Sequence, residues 1–244
     1  NNHVLSKIEI EEIIKDIVNN SLSEAEIALF VSGIYKFGMN MQETIDLINA
    51  ILKNGNTFDL KNVADKHCIG GVAGNRTTPI VVSICAYAGL IMPKSSSRAI
   101  TSAAGTADVI ETIANVDFSI NEIKKIIKKT GACMVWGGTL RLVPADEQII
   151  QVEKMISLDP EAMLLASIMS KKLAVGSDYI LIDIPYGENA KVQKKQALHL
   201  KKKFEFLGKH FKKKLKVVLT DGSQPIGNGI GPALELMDVI KILK

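Results

Sequence analysis

The sequence predicts an α/β protein that joins a small all-helical lobe to an α/β lobe with a mixed, mostly parallel sheet. Helix start signals crowd the first third, where Ser23 is followed by Glu26 and Asn40 by Glu43. From Val63 onward, short apolar runs alternate with glycine-rich loops and helices, as in a sheet with crossover helices. A second purely helical stretch follows further on. We therefore assign residues 1–62 and 145–175 to the helical lobe, and 63–144 and 176–244 to the α/β lobe.

The apolar runs place the strands of the second lobe. A chain of 244 residues that is 47% hydrophobic and 23% charged can bury a sizeable core. The runs are short and bounded by glycine, proline or polar residues, which favours strands over helices. The predicted strands are 63–66, 90–93, 132–136, 179–184 and 215–219.

Composition also limits the compartment. The longest apolar stretch, 80–92, has 13 residues and is too short to span a membrane. Nothing resembles an export signal, and the three cysteines lie far apart without CxxC spacing. The four histidines have no metal-ligand spacing. We expect a cytoplasmic protein that needs no membrane, no disulfide scaffold and no metal.

Eleven lysines fall between 191 and 216 and could indicate a nucleic-acid surface. The apolar residues among them recur at steps of three and four, which predicts one buried stripe of a helix whose other faces carry lysine. No aromatic platform or recognition motif interleaves the lysines. We therefore favour a solvated helix face over nucleic-acid binding. The stripe consists of Ala197, Leu200, Phe204, Leu207 and Phe211.

The first candidate site is the stretch DKHCIGGVAGN at 65–75, where a predicted strand enters a glycine-rich turn before a helix. Such a turn exposes backbone N–H groups, and with Lys66 and the start of the helix these would hold an anion, most naturally phosphate. The residues equally allow a tight strand-to-helix turn in which Thr78 is the N-cap and Pro79 the first helical residue. From the residues alone, both interpretations stay open.

The second candidate site is the stretch KSSSRAITSAAGTAD at 94–108, again directly after a predicted strand. It concentrates hydroxyl groups around one lysine and one arginine. Loops that follow the carboxyl ends of strands form the ligand crevice of open α/β sheets. A polar surface loop with Thr106 or Ser102 as a helix cap is the alternative. The density of hydroxyls exceeds what capping needs, so we favour a phosphorylated ligand.

Residues 96–111 match, at every position, the signature of the thymidine and pyrimidine nucleoside phosphorylases. The upstream stretch 65–71 resembles the phosphate loop of the same family, and segments 144–146, 166–168 and 171–173 resemble its helical region. The likeness covers nearly the whole chain. It implies an enzyme that uses inorganic phosphate, without a cofactor, to break an N-glycosidic bond.

Within that family, stretches 68–75 and 97–102 are most similar to the AMP phosphorylases of archaeal type. The thymidine enzymes carry a base-contacting arginine where this chain has Val152. The resemblance therefore implies a nucleoside 5'-monophosphate (AMP, with CMP or UMP as alternatives), which phosphate converts to free base and ribose 1,5-bisphosphate. Those enzymes are longer at both ends, so the chain resembles their middle portion.

The resemblance also implies roles for individual residues. Asp159 matches the proton donor of the AMP enzymes, although Asp159-Pro160-Glu161 also reads as a helix start with Asp159 as N-cap. Cys68 stands where the thymidine enzymes have a phosphate-binding serine. The residues that match nucleotide-binding positions are Gly71, Ser97, Arg98, Ala99, Ile100, Thr101, Ser102, Thr106, Ser167 and Lys191. Those that match phosphate-binding positions are Lys66, Thr78 and Ser96.

Further expectations and alternatives follow from the same comparison. Family members dimerise through the helical lobe, so we expect a homodimer or a higher homo-oligomer, with the substrate between the two lobes of each chain. A thymidine phosphorylase is one alternative. An anthranilate phosphoribosyltransferase-like enzyme shares the fold but uses magnesium and an adjacent acidic pair, which we do not find. A nucleotide-binding fragment without turnover is the third.

Overall fold

The computed structural model describes residues 3–58, 60–72, 76–96, 98, 104–138 and 142–244. In chain order the elements are α1 (Lys7–Val18), α2 (Glu24–Phe37), α3 (Met41–Lys53), β1 (Val63–Cys68), α4 (Thr77–Tyr87), β2 (Met92–Ser96), α5 (Thr106–Glu111), α6 (Ile120–Thr130), β3 (Ala132–Trp136), α7 (Pro144–Ile156), α8 (Glu161–Ala174), β4 (Ser177–Tyr186), α9 (Lys194–His210), β5 (Lys214–Asp221) and α10 (Pro232–Leu243).

These elements form two compact units. Helices α1, α2, α3, α7 and α8 belong to the unit Asn1–Asp59 with Arg141–Gly176, and every strand belongs to the unit Leu60–Leu140 with Ser177–Lys244. The predicted fold class, a helical lobe plus an α/β lobe, is confirmed.

The helical unit begins its helices as the sequence predicts. The Ser23 N–H donates to Glu26 Oε2 at 2.8 Å, and the Asn40 N–H donates to Glu43 Oε2 at 2.7 Å. In each case the cap side chain accepts in return from the N3 backbone, which satisfies donors that a helix start leaves unpaired. The core behind these caps is mainly aliphatic. It includes Ile10, Ile14, Ile17, Val31, Leu47 and Ile48.

The α/β unit is built on parallel strands. The order β1-β4-β5 forms one ladder and β2-β3 another, and the Ala64 N–H joins the two by donating to Ile91 O at 2.9 Å. Every strand pair among the described residues is parallel. The carboxyl ends of the strands therefore share one edge of the sheet, where α/β proteins bind their ligands.

The lysine-rich helix α9 packs through its apolar stripe. Ala197, Leu200, Phe204 and Leu207 are buried, and Phe211 is half-buried just past the end of the helix. The predicted stripe is confirmed, with lysines covering the exposed faces. Within the ranges described, no helix is long and apolar enough to cross a membrane.

Candidate functional site

Lys66 is the buried cation of the first candidate site. Its Nζ lies 3.2 Å from Asp183 Oδ2, donates to Thr77 Oγ1 at 2.8 Å, and approaches Thr78 Oγ1 at 3.5 Å. The Lys66 side chain is 4% exposed and that of Asp183 is 10% exposed. The structure thus brings together two predicted phosphate ligands, Lys66 and Thr78. Helix α4 begins at Thr77 with Arg76 as its N-cap residue, so the alternative of Thr78 as N-cap is wrong.

Asp183 was not identified from the sequence, although it organises this cluster. Thr220 Oγ1 donates to Asp183 Oδ1 at 2.7 Å, so the carboxylate links β4, β5 and Lys66 of β1. Asp183 is buried in a strand whose other central residues are aliphatic. The available signal was a single carboxylate in an apolar run, because such a group needs a buried partner.

The glycine-rich turn follows β1 closely. Gly70 has φ +83° and Gly71 has φ +84°, a region that favours glycine and that occurs in anion-binding turns. The Ile69 N–H donates to the Asp183 carbonyl at 3.1 Å and fixes the start of the turn. A Cβ on Gly71 would lie 2.3 Å from Lys191 Cβ. The predicted nucleotide ligands Gly71 and Lys191 are therefore in direct contact.

Two further loops meet this turn. A Cβ on Gly222, just after β5, would lie 3.1 Å from Val72 Cγ2 and 2.9 Å from Ala190 Cβ. A Cβ on Gly187, just after β4, would lie 2.8 Å from the Ser223 nitrogen. The loops after β1, β4 and β5 thus pack against one another at the carboxyl edge of the sheet, with Gly71, Gly187 and Gly222 at close approaches between them.

Cys68 occupies the end of β1 inside this cluster. Burial raises the pKa of its thiol, the nearby Lys66 opposes that rise, and Asp183 adds to it. The Gly70 N–H and the Asp183 carboxylate both interact with the sulfur atom. A thiol that stays protonated adds no negative charge to a site whose cation would receive an anion.

The second candidate site begins within a strand. Strand β2 spans Met92–Ser96, so the predicted boundary at Pro93 is wrong and Lys94 to Ser96 belong to the strand. These residues continue the strand because they pair in parallel with β3, up to Ser96 opposite Trp136. Ser96 Oγ donates to Val135 O at 3.4 Å. Five predicted ligands, Ser97, Ala99, Ile100, Thr101 and Ser102, lie outside the described residues.

Arg98 is held by the acidic residues of its own signature. Its guanidinium contacts the Asp108 carboxylate at 3.3 Å and binds Glu111 through two nitrogens, one of them at 2.8 Å. It also lies 4.9 Å from the centre of the Trp136 ring. The Glu111 pair comes first among the causes that raise the pKa of Arg98. The charged residues of the signature thus bind one another across 98–111.

Thr106 is buried as the first residue of α5. The residue before it, Gly105, is the N-cap, and its N–H donates to Asp108 Oδ2 at 2.8 Å. The alternative that Thr106 caps this helix is therefore wrong. Thr106 remains a predicted nucleotide contact.

The helical unit carries the remaining predicted residues. Asp159 is exposed two residues before α8, and the N-cap position belongs to Pro160, so the interpretation of Asp159 as N-cap is wrong. Further along α8, Lys171 Nζ donates to Ser167 Oγ at 2.9 Å and lies 2.7 Å from Asp146 Oδ2. Because Lys171 occupies an acceptor position on the Ser167 oxygen, the Ser167 hydroxyl hydrogen points elsewhere and can donate to a ligand.

The described residues contain no group of three or more His, Cys, Asp or Glu side chains that could hold a metal ion.

Comparison with known proteins finds a helical domain followed by an a/b domain, and the a/b match includes helices α7 and α8, which the structure groups with the helical unit. Residues 1–55 match the family described as "Glycosyl transferase family, helical bundle domain", and 60–237 match "Glycosyl transferase family, a/b domain". The AMP phosphorylase of Pyrococcus furiosus is 51% identical over 242 residues, which are 98% of this chain and 48% of that protein. A protein of Rhodopseudomonas palustris, provisionally named thymidine phosphorylase, is 49% identical over 99% of this chain and 47% of its own length.

Among solved structures, anthranilate phosphoribosyltransferase from Thermus thermophilus matches with a TM-score of 0.71 and 16% identity, over 93% of this chain and 66% of that one. This likeness concerns the fold alone. The chain spans about half the length of the curated relatives it matches.

Proposed function

Since the chain belongs to the glycosyl transferase family that joins a helical bundle domain to an a/b domain, we propose that it takes part in phosphorolysis of a nucleoside 5'-monophosphate. The products are the free base and ribose 1,5-bisphosphate. The observation that carries the proposal is the buried Lys66, which lies beside Thr77, Thr78 and the glycine turn. The sequence identity of 51% to an AMP phosphorylase supports it.

Phosphorolysis needs a phosphate held against the anomeric carbon of the ribose. Lys66 supplies a positive charge already fixed by Asp183 and Thr77, so little reorganisation is needed when an anion arrives. The N–H groups of the Gly70–Gly71 turn and the Thr78 hydroxyl add donors of the kind that bind phosphate. We assign the attacking phosphate to this cluster, with Ser96 as a further ligand on the strength of the family resemblance.

Bond exchange at the sugar then follows in one balanced step. A phosphate oxygen forms a bond to C1 of the ribose, the C1–N bond breaks, and its electron pair passes to the base nitrogen. Asp159 donates the proton that this nitrogen takes up, which makes the base a better leaving group. The phosphate anion stabilises the positive charge that develops on the ribose.

The nucleotide contacts are proposed residue by residue from the family. Gly71 and Lys191, which touch each other, and Thr106 belong to the α/β unit, whereas Ser167 belongs to the helical unit. Ser167 would donate its hydroxyl hydrogen to an acceptor on the nucleotide, because Lys171 already donates to its oxygen. Residues 97–102, which are rich in hydroxyl groups, complete the proposed set. Among them, Arg98 also pairs with Asp108 and Glu111 of α5.

A nucleotide is a better candidate than thymidine. Val152 stands where thymidine phosphorylases carry a base-contacting arginine, and it is a buried apolar residue of α7. A substrate that relies on that arginine would lose this charged contact. The Pyrococcus furiosus relative reported above, 51% identical to this chain, is named AMP phosphorylase, which supports the same choice.

Release of adenine from AMP, with and without inorganic phosphate, tests the proposal. We expect phosphate-dependent release, lowered about a hundredfold or more by Asp159→Asn, which removes the proton donor. Glu161→Gln, an acid two residues away in the first turn of α8, is the matched control and should retain the rate. Adenine release that ignores phosphate, or transfer from phosphoribosyl pyrophosphate to anthranilate, would contradict it.

The second candidate is a nucleotide-binding chain without turnover. The specific observation is that the chain covers only 48% of the Pyrococcus furiosus relative. Calorimetric binding of AMP together with no adenine release would favour this candidate. Failure to bind either AMP or phosphate would exclude both functions. The homodimer and the cytoplasmic location remain predictions.

A further inference from the structure

Arg76 is an unusual residue of the α/β unit because it carries a positive charge although the residue is only 1% exposed. Its Nε donates to Asp238 Oδ2 at 2.9 Å, its Nη1 to the Ile226 carbonyl and its Nη2 to the Gly229 carbonyl. All three guanidinium nitrogens are thus bound by oxygen atoms of the β5–α10 loop and of α10. The guanidinium is therefore engaged within the protein rather than exposed to a ligand.

The carboxylate of Asp238 is also bound by other groups of the protein. Asp238 Oδ2 also accepts from the N–H groups of Asn228, at 3.0 Å, and Gly229, at 3.1 Å. These two bonds, ahead of the Arg76 pair, hold the pKa of Asp238 below its ordinary value. The loop 226–229 is consequently folded around one buried ion pair, and we call this arrangement the Arg76 lock.

Gly227 shows how closely the lock is packed. It has φ +75°, and a Cβ there would lie 2.6 Å from Arg76 Nε and 2.7 Å from Asp238 Oδ2. Both distances are shorter than real side chains tolerate, and both contacts involve the paired charges. Any other residue at 227 would push Arg76 and Asp238 apart.

The lock reaches the proposed phosphate site through the chain itself. Arg76 is the N-cap residue of α4, and the next two residues, Thr77 and Thr78, present their hydroxyls to Lys66 Nζ. Movement of Arg76 would therefore rotate or shift the first turn of α4 and change the distance from Thr77 to Lys66.

We infer that Arg76 is a positioning residue, which anchors the first turn of α4 to the β5–α10 loop and so keeps Thr77 and Thr78 beside Lys66 in the phosphate-binding arrangement. This inference rests on the proposed function, because it assigns the benefit of the lock to phosphate binding. Lysine cannot replace the arginine, since one ammonium group does not reproduce the planar fork that reaches three oxygens.

Two pairs of variants test the lock in the 244-residue chain. Arg76→Lys keeps the charge but loses the fork, and Gly227→Ala wedges the ion pair apart without altering any charge. Their controls are Lys241→Ala, which removes an exposed ammonium 3.7 Å from Asp238 Oδ1, and Gly231→Ala, at φ +102° with nothing within 4 Å. Titration with inorganic phosphate, followed by ³¹P NMR, gives the dissociation constant, and urea unfolding verifies that each sample is folded.

We expect Arg76→Lys and Gly227→Ala to raise the phosphate dissociation constant about tenfold, similar to the loss in affinity when a residue that orients the ligands of a metal ion is replaced. Both controls should bind phosphate as the wild type does. If either test variant is folded and binds phosphate with wild-type affinity, the inference is overturned. If the wild-type chain itself does not bind phosphate, the proposed function fails with it. A merely structural role would lower the unfolding midpoint and leave the affinity of the folded protein unchanged, which also counts against the lock.

Discussion

Lys66 Nζ lies 3.2 Å from the carboxylate of Asp183, and both side chains are almost fully buried. The pair joins two neighbouring parallel strands at the edge where the glycine turn begins. Burying an unpaired charge is costly, so each of the two groups lowers the free-energy cost of burying the other. The proposed phosphate site is therefore built around a cation that the fold itself holds in place.

Asp183→Asn should lower the free energy of unfolding by about 3 kcal/mol, because it leaves the buried ammonium without its counter-charge. Lys53→Ala is the control, since Lys53 pairs with Glu11 while 67% exposed and such surface pairs contribute little to stability. Urea denaturation measures both. Phosphate should stabilise Asp183→Asn more than the wild type, as the anion supplies the missing charge; equal stabilities of variant and wild type would contradict the ion-pair account.

Gly71→Ala should weaken phosphate and AMP binding about tenfold or more, because a methyl group there meets the Lys191 backbone nitrogen at 2.6 Å and displacing bound groups by about 1 Å is costly. Gly89→Ala is the matched control. It has a similar φ of +91° but nothing within 4 Å, so it bears only the strain of a left-handed residue, about 1 to 2 kcal/mol. Calorimetric titration separates the two, and equal affinities in both variants would show that the Gly71–Lys191 contact is not part of the site.

Cys68→Ser should tighten phosphate binding about fivefold, the equivalent of about 1 kcal/mol for one better hydrogen bond. The thiol is a weak donor, whereas the hydroxyl of serine, the residue found there in the thymidine enzymes, binds phosphate well. Cys85→Ser, in α4, is the control. Weaker binding by Cys68→Ser would indicate that the sulfur contributes through packing and that no phosphate oxygen approaches it.

Alkaline pH should destabilise the chain through Cys133. Burial, with a smaller contribution from Asp65, raises the pKa of this thiol from its ordinary value of 9.0 to about 12. The folded state therefore holds the proton more tightly than the unfolded state, so this contribution is fully present below pH 9 and is lost as pH rises toward 12, at up to about 1.4 kcal/mol per pH unit.

Urea unfolding of the wild type and Cys133→Ala between pH 8 and 10.5 measures this effect. The wild type should lose stability faster than the variant above pH 9. Parallel curves for the two proteins would mean that the thiol is not buried as described.

Local patterns were sufficient to predict most of the fold. Capping residues such as Ser23 and Glu26 act within one turn, and β3 consists of an apolar run whose limits match the observed strand. The end of β2 was misplaced because Lys94, Ser95 and Ser96 are polar, whereas Lys94 and Ser95 are buried in a strand that pairs with β3, which lies far along the chain. Sequence patterns that report hydrophobicity cannot detect a polar residue buried by a distant strand.

The site was predictable only where a motif carried it. Lys66 and the glycine turn could be predicted from the residues themselves, whereas the roles of Thr78 and Lys191 follow from the resemblance. The structure brings Lys66 and Thr78 together, and likewise Gly71 and Lys191. Asp183 and Arg76 were missed because their partners are separated from them by more than a hundred residues. Charges that are satisfied across such distances leave no periodic signal near either residue.

Transfer of labelled phosphate tests the central claim most directly. The chain is incubated with AMP and ³²P-labelled inorganic phosphate, and the adenine released is compared with the label found in ribose 1,5-bisphosphate. The account predicts equal amounts of both, with neither formed when phosphate is omitted. Adenine released without label in the sugar product would mean hydrolysis, and would contradict the assignment of Lys66 and the glycine turn to an attacking phosphate.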